Sequence, residues 1–214
     1  MVKNEHRIVF LDLDQVLFDY QTTIKRKKIH CQFGRVNESC DLLKAVLMKT
    51  DAKVVFVSSW TDKKLISALA IGELHFLKPF LHERPFVDRK YRCAHRASGI
   101  YTWFCEEYES FDKMQEIHCH DPLVLNDESL LRFAIVDDST GTNVYSGGWV
   151  RSRLVPVINQ RFGNFEANLL EALLTGNRIG DMVSEMERRA SIYSDLKTDI
   201  ALGMQAFTRY NKKE

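Results

Sequence analysis

Apolar residues along this chain are bunched. Ile8-Val9-Phe10-Leu11, Val54-Val55-Phe56-Val57 and Phe133-Ala134-Ile135-Val136 are short runs without polar alternation, the pattern of strands covered on both faces inside a parallel sheet. Between them the spacing turns helical. Leu42, Leu43, Val46 and Leu47 share one face and predict a helix over 39–49; Thr61 is placed to cap a helix that carries Leu65 and Leu69; Ile100, Trp103 and Phe104 predict a helix from Ser98 to Tyr108. Leu154-Val155-Pro156-Val157 fits an edge strand, where its proline is tolerated. Alternation of this kind predicts an α/β fold, a doubly wound parallel sheet with right-handed crossovers.

The remaining stretches are less regular. Residues 18–36 are polar and basic and are expected to form a loop or short excursion; residues 75–95, broken by Pro79 and Pro85, are expected to be irregular; residues 109–130 are ambiguous. From Phe165 onward Leu169, Leu170, Leu173 and Leu174, then Met182, Met186, Ile192, Leu196, Ile200 and Met204, fall at helical spacing. The expected organisation is a core over 1–164 and a helical extension over 165–214, packed on that core or, alternatively, used as a homo-oligomer surface.

Composition narrows the classes. The 214 residues suffice for one α/β domain with an appendage. Thirty basic against 29 acidic side chains give a net charge of +1, so no global field points to nucleic acid or membrane. The absence of a long apolar segment or an N-terminal signal pattern predicts a cytoplasmic protein without a membrane partner. Five cysteines without a C-x-x-C argue against a disulfide framework and a zinc ribbon. His118-Cys119-His120 is a poor metal site, because neighbouring side chains diverge and no second cluster has suitable spacing.

The chemistry lies where the apolar runs end. The first ends in Asp12 and Asp14, the second in Ser58, Ser59 and Trp60, the third in Asp137 and Asp138. In parallel sheets ligands bind beyond the carboxyl ends of the strands. A single D-x-D is equally well a capping pair at a turn; three polar strand ends in one chain point to a site.

Carboxylates, then a hydroxyl, then a basic residue, then a carboxylate pair: in this order the chain resembles the haloacid dehalogenase-like (HAD) superfamily of phosphohydrolases over roughly residues 6–175. Gln15 stands where that family often has glycine. The resemblance implies a HAD-like Rossmannoid fold and a Mg2+ cofactor. It makes Asp12 the nucleophile that forms an aspartyl-phosphate and a metal ligand, and Asp14 the general acid and base, with its carbonyl on the metal. It makes Asp138 the direct metal ligand and Asp137 the residue that orients a metal-bound water. Ser58, with Ser59 beside it, would hold the phosphoryl oxygens. The basic residue is expected at Arg96, four before Ile100 and seven before Trp103, with Lys90 as second choice; the other basic residues of Arg89-Lys90-Tyr91-Arg92 are expected to be solvated surface. Trp60 is expected to pack rather than to stack on a base.

Intervals between these motifs are short: 44 positions from Asp14 to Ser58 and 38 from Ser58 to Arg96. They leave space for a minimal cap or none, hence an open site suited to a phosphate on something bulky. Val16-Leu17-Phe18-Asp19-Tyr20 resembles the matching stretch of deoxyribonucleotidases, and Ser58-Ser59-Trp60 that of a branch associated with RNA repair. Both favour a nucleotide or nucleic-acid terminal phosphate as substrate. The basic run 24–28 and the stretch from Arg89 to Arg96 either line a backbone-tracking groove or are solvated loops. The alternatives are an open-site phosphoprotein phosphatase and a non-catalytic binding or scaffold module.

Overall fold

The computed structural model describes residues 4–25, 28–92, 95–108, 122–125, 129–139, 145, 150, 153–157 and 161–177, with the backbone alone for 20–34. Its principal sheet runs through β1 (Asn4–Leu11), β4 (Lys53–Phe56), β5 (Leu81–Phe86), β6 (Leu123–Val124), β7 (Ser129–Asp137) and β8 (Leu154–Pro156). The order is β5-β4-β1-β7, with β8 and β6 both on the outer edge of β7. Five strands are parallel and only the two-residue β6 is antiparallel. The predicted α/β parallel sheet is thus present, in an order compatible with doubly wound folds. β1 lies centrally and the chain moves from one of its sides to the other between β5 and β7, which makes the β1–β7 boundary a switch point.

Both faces of the central strands are buried. Ile8 and Phe10 of β1, Val55 and Val57 at β4, and Phe133 and Ile135 of β7 join Ile100, Trp103 and Phe104 of α3 (Arg96–Glu107) in one cluster. The alternate residues Val9, Leu11, Val54, Phe56, Ala134 and Val136 are also buried and point to the other face. Here α1 (Asn37–Thr50) packs on α4 (Asn164–Thr175), and α4 on β7. A third helix, α2 (Asp62–Ile71), is capped as predicted, with Thr61 Oγ1 accepting from the Lys64 N–H at 3.3 Å.

Two predicted irregular stretches are ordered. Residues expected to form a loop after β1 form an antiparallel hairpin, β2 (Phe18–Lys25) with β3 (Lys28–Arg35). Its alternating β-branched and aromatic residues, Tyr20, Thr22 and Ile24 against Ile29 and Phe33, satisfy strand preference despite the basic tip. Within 75–95 the chain makes a 3-10 helix, His75–Phe80, and then β5; Pro85 is tolerated because β5 is an edge strand. β7 begins at Ser129, four residues before the apolar run. The helix predicted from 165 is α4, and it packs on the sheet as part of the unit Met1–Arg178. The predicted helical positions beyond 177, the 109–121 stretch and His118-Cys119-His120 lie outside the described residues. No helix among the described residues is long and apolar enough to cross a membrane.

Candidate active site

Parity along the strands brings the carboxylates together. Leu11 pairs with Val136 and with Phe56, so Asp12 is level with Asp137. Both continue the row Ile8-Phe10 and Phe133-Ile135 that faces α3. The Asp12 N–H donates to the Val136 carbonyl at 2.9 Å and the Val57 N–H to the Leu11 carbonyl at 3.0 Å. The ladder therefore persists through residue 12. Asp12, Asp137 and Ser58 are buried, Asp138 and Asp14 half-buried, and Ser59 exposed.

After Asp12 the chain turns tightly. The Leu13 carbonyl accepts from the Leu17 and Phe18 N–H groups at 3.0 and 3.2 Å, and the Gln15 N–H donates to the Phe18 carbonyl at 2.7 Å. Gln15 has φ of 60°, in the left-handed region where an L side chain crowds its own backbone. Glycine, which lacks a Cβ, would adopt this conformation without that cost. Gln15→Gly is expected to raise stability by about 0.5–1 kcal/mol in denaturant melts, the relief of strain exceeding the added unfolded-state entropy; a lower midpoint would mean that the Gln15 side chain contributes a contact.

Of the two basic candidates it is Arg96, the first residue of α3, that reaches the carboxylates. Its guanidinium lies 3.1 Å from Asp12 Oδ2, pairs with Asp137 Oδ2, and donates through Nε to the Arg92 carbonyl at 2.7 Å. A cation at a helix N-terminus opposes the helix dipole, so the two carboxylates are what hold it there, and they raise its pKa further. Lys90, the other candidate, is exposed and pairs with Asp88 at 3.4 Å. Arg92, expected on the surface, is buried: it donates to the Trp60 carbonyl at 3.0 Å and pairs with Asp62. Two anionic or carbonyl partners make burial of its charge tolerable.

Asp137 is saturated. Oδ1 accepts from the Ser139 N–H at 2.7 Å, and Oδ2 from Arg96 and from the buried Tyr145 hydroxyl. Burial, and then the Asp12 charge, push its carboxyl up to about 7 against the pull of Arg96 and Tyr145. Upward is the expected direction, since the carboxyl is buried and shares one guanidinium with a second carboxylate. Asp12 Oδ1, by contrast, is buried with no hydrogen-bond partner among the described residues. One carboxylate oxygen from each of Asp12, Asp137 and Asp138 can be chosen so that all three lie within 4.8 Å of one another. Three acidic side chains converge beside one guanidinium, and one of their buried oxygens has no donor among the described residues: these residues fit a divalent cation with oxygen preference.

Asp14 stands apart from that cluster. Its Oδ1 accepts from the Trp60 indole N–H at 2.8 Å. Burial raises its pKa, the Trp60 hydrogen bond opposes this, and Asp12 adds to the rise. Trp60 is 8% exposed, with its ring against Phe18 at 4.9 Å and Lys64 Nζ 3.2 Å from its centroid. Its faces are covered, so it packs and does not offer a stacking platform. Beside it a groove of about 680 Å³ is lined by Phe18, Trp60, Lys63 and Lys64. Another groove, of about 720 Å³, is lined by Leu47, Met48 and Phe76 and includes none of the site carboxylates.

The strand ends therefore converge Asp12, Asp137, Asp138 and Arg96. Ser58, the buried second residue past β4, accepts at Oγ from the Trp60 N–H at 3.4 Å. Sequence reasoning overlooked the roles of Arg92, Tyr145 and the Trp60 N–H. A buried indole needs an acceptor, which was a usable signal; Tyr145 lies in a polar stretch that carries none.

Comparison of the chain with protein-family models, curated proteins and solved structures finds no match. What the site does therefore follows from its own geometry.

Proposed function

We propose that this chain is a Mg2+-dependent phosphohydrolase of the haloacid dehalogenase-like type, acting through an aspartyl-phosphate on Asp12. The observation that carries this reading is Asp12 itself: a buried carboxylate with one oxygen held 3.1 Å from Arg96 and the other without a donor, at the end of the central strand and among further carboxylates. A structural carboxylate would have both oxygens satisfied.

Asp12, Asp138 and the Asp14 carbonyl would hold the metal, with Asp137 behind them orienting what the metal binds. A bound Mg2+ would neutralise phosphoryl charge that otherwise repels an anionic nucleophile. Asp12 attacks phosphorus; Arg96 and the Ser58 hydroxyl take up charge on the equatorial oxygens. Asp14, whose raised pKa favours the protonated form, gives its proton to the leaving oxygen and then removes one from the water that cleaves the aspartyl-phosphate. Among the described residues the chain forms the hairpin and α1 between β1 and β4, and α2, two 3-10 helices and β5 between β4 and α3. Such a site suits a phosphate on a large molecule. The lysine-lined groove beside Trp60 favours an anionic one, a nucleotide or a nucleic-acid end.

The test is phosphate release from p-nitrophenyl phosphate, then from mononucleotides, 3′-phosphorylated oligonucleotides and phosphopeptides in competition. Release is expected with Mg2+, lost with EDTA and restored by added Mg2+. Turnover indifferent to EDTA would remove the metal from the proposal; no release from any of the four classes would remove the reaction; preference for phosphopeptides would overturn the substrate class.

A further inference from the structure

We infer that Trp60 is the positioning residue of the general acid: its indole N–H fixes the Asp14 carboxyl so that proton delivery to the leaving group is directed. This rests on the reaction proposed above and adds a residue to it. Trp60 Nε1 lies 2.8 Å from Asp14 Oδ1, which fixes the orientation of the carboxyl group through one oxygen and leaves the other, Oδ2, for the leaving group. Asp14 lies past the end of β1, in the turn that carries the strained Gln15 and outside the ladder that holds Asp12. It thus needs an external support that Asp12, pinned in the ladder, does not.

Trp60 is itself held on every side. Phe18 and Lys64 cover its ring, the Arg92 guanidinium holds its carbonyl at 3.0 Å, and its N–H lies 3.4 Å from Ser58 Oγ. The Arg92 carbonyl in turn accepts from Arg96 Nε at 2.7 Å. One buried indole therefore ties the acid Asp14 to the elements that carry Ser58 and Arg96. In the first step the Asp12 oxygen forms a bond to phosphorus and the ester P–O bond breaks. The electron pair stays on the leaving oxygen, which takes the Asp14 proton. The Asp14 carboxylate left behind is stabilised by the same indole N–H. In the second step water gives a proton to Asp14 and attacks phosphorus, and the Asp12–phosphorus bond breaks, restoring both residues.

Leaving groups separate this role from packing. A good leaving group such as p-nitrophenolate departs without a proton; phenoxide and alkoxides need one. Trp60→Phe keeps the aromatic ring and removes only the donor. Its kcat/KM is expected to fall less than ~3-fold on p-nitrophenyl phosphate and at least ~10-fold on phenyl and ethyl phosphate, a part of the ~10²–10⁴-fold typical of general acids. Equal losses on all three esters would assign Trp60 to packing alone and overturn the inference while leaving the reaction intact. Wild type inactive on every ester would overturn the reaction and the inference together. Should Trp60→Phe not fold, the indole N–H signals of the three tryptophans, Trp60, Trp103 and Trp149, give a second reading: Asp14→Ala is expected to move the Trp60 signal and leave Trp103 in place, and an unmoved Trp60 signal would overturn the contact.

Discussion

Asp12→Asn is expected to lower turnover by about 10⁴-fold or more, the scale seen when an enzyme loses its nucleophile, without lowering the stability of the metal-free protein. Asparagine has nearly the shape of aspartate, and the backbone bonds that pin residue 12 to β7 do not involve its side chain. The charge removed is one of two carboxylates that share Arg96, and Asp137 keeps that partner. A buried anion with an unsatisfied oxygen costs folding free energy, so its neutralisation offsets the lost ion pair. In EDTA the variant is therefore expected to melt no lower than wild type. With Mg2+ the two should part: a cation bound only by the folded state raises the melting temperature of wild type and leaves the variant nearly unmoved. Thermal melts with and without Mg2+, beside single-turnover phosphate release, check both halves. Turnover retained within ~10-fold would sink the nucleophile assignment, and an unfolded variant would mean that Asp12 is structural.

How far this arrangement was legible in the sequence depends on what each residue needs from its surroundings. β1, β4 and the apolar part of β7 are visible because a strand buried on both faces must be apolar throughout, and four such residues in a row have few other uses. The carboxylates at their ends follow from the end of that run. Arg96 was singled out because the resemblance calls for a basic residue at the entry of the helix that carries Ile100 and Trp103, and its place in phase with them agrees with its burial. The hairpin β2–β3 was overlooked because its strands are short of aliphatic residues and its tip is basic, so alternation was the sole signal. β5 was masked by Pro79 and Pro85, which exclude a central strand but not an edge. Arg92 shows the limit: nothing in Arg89-Lys90-Tyr91-Arg92 separates the buried cation from its exposed neighbours. The difference is made by Asp62 and the Trp60 carbonyl, some thirty positions away. Partners distant in sequence are what a local pattern cannot supply.

Arg96→Met is expected to have the larger effect on stability, about 3–5 kcal/mol, the cost of removing one partner from a buried ion pair. Methionine fills most of the volume, so the loss is electrostatic: Asp12 and Asp137 are left facing one another without a cation. The pH dependence has a definite sign. Asp137 already sits near 7 in the wild-type fold, far above a carboxylate in the unfolded chain, and loss of Arg96 raises it further. A carboxyl whose folded pKa exceeds its unfolded one holds more protons folded than unfolded between the two values, so stability falls as pH rises across that window. The variant is therefore expected to be most stable near pH 4–5, and to lose stability more steeply than wild type from there to beyond pH 7. Mg2+ at neutral pH should recover part of the loss, because Asp12, one of the two, would be among its ligands. Arg96→Lys keeps the charge but not the fork that reaches both carboxylates, and an intermediate denaturation midpoint is expected. The check is urea denaturation at pH 5 and pH 8, with and without Mg2+: a deficit independent of pH would mean that Arg96 acts through packing, and the pairing of one guanidinium with two carboxylates would not be what holds this site together.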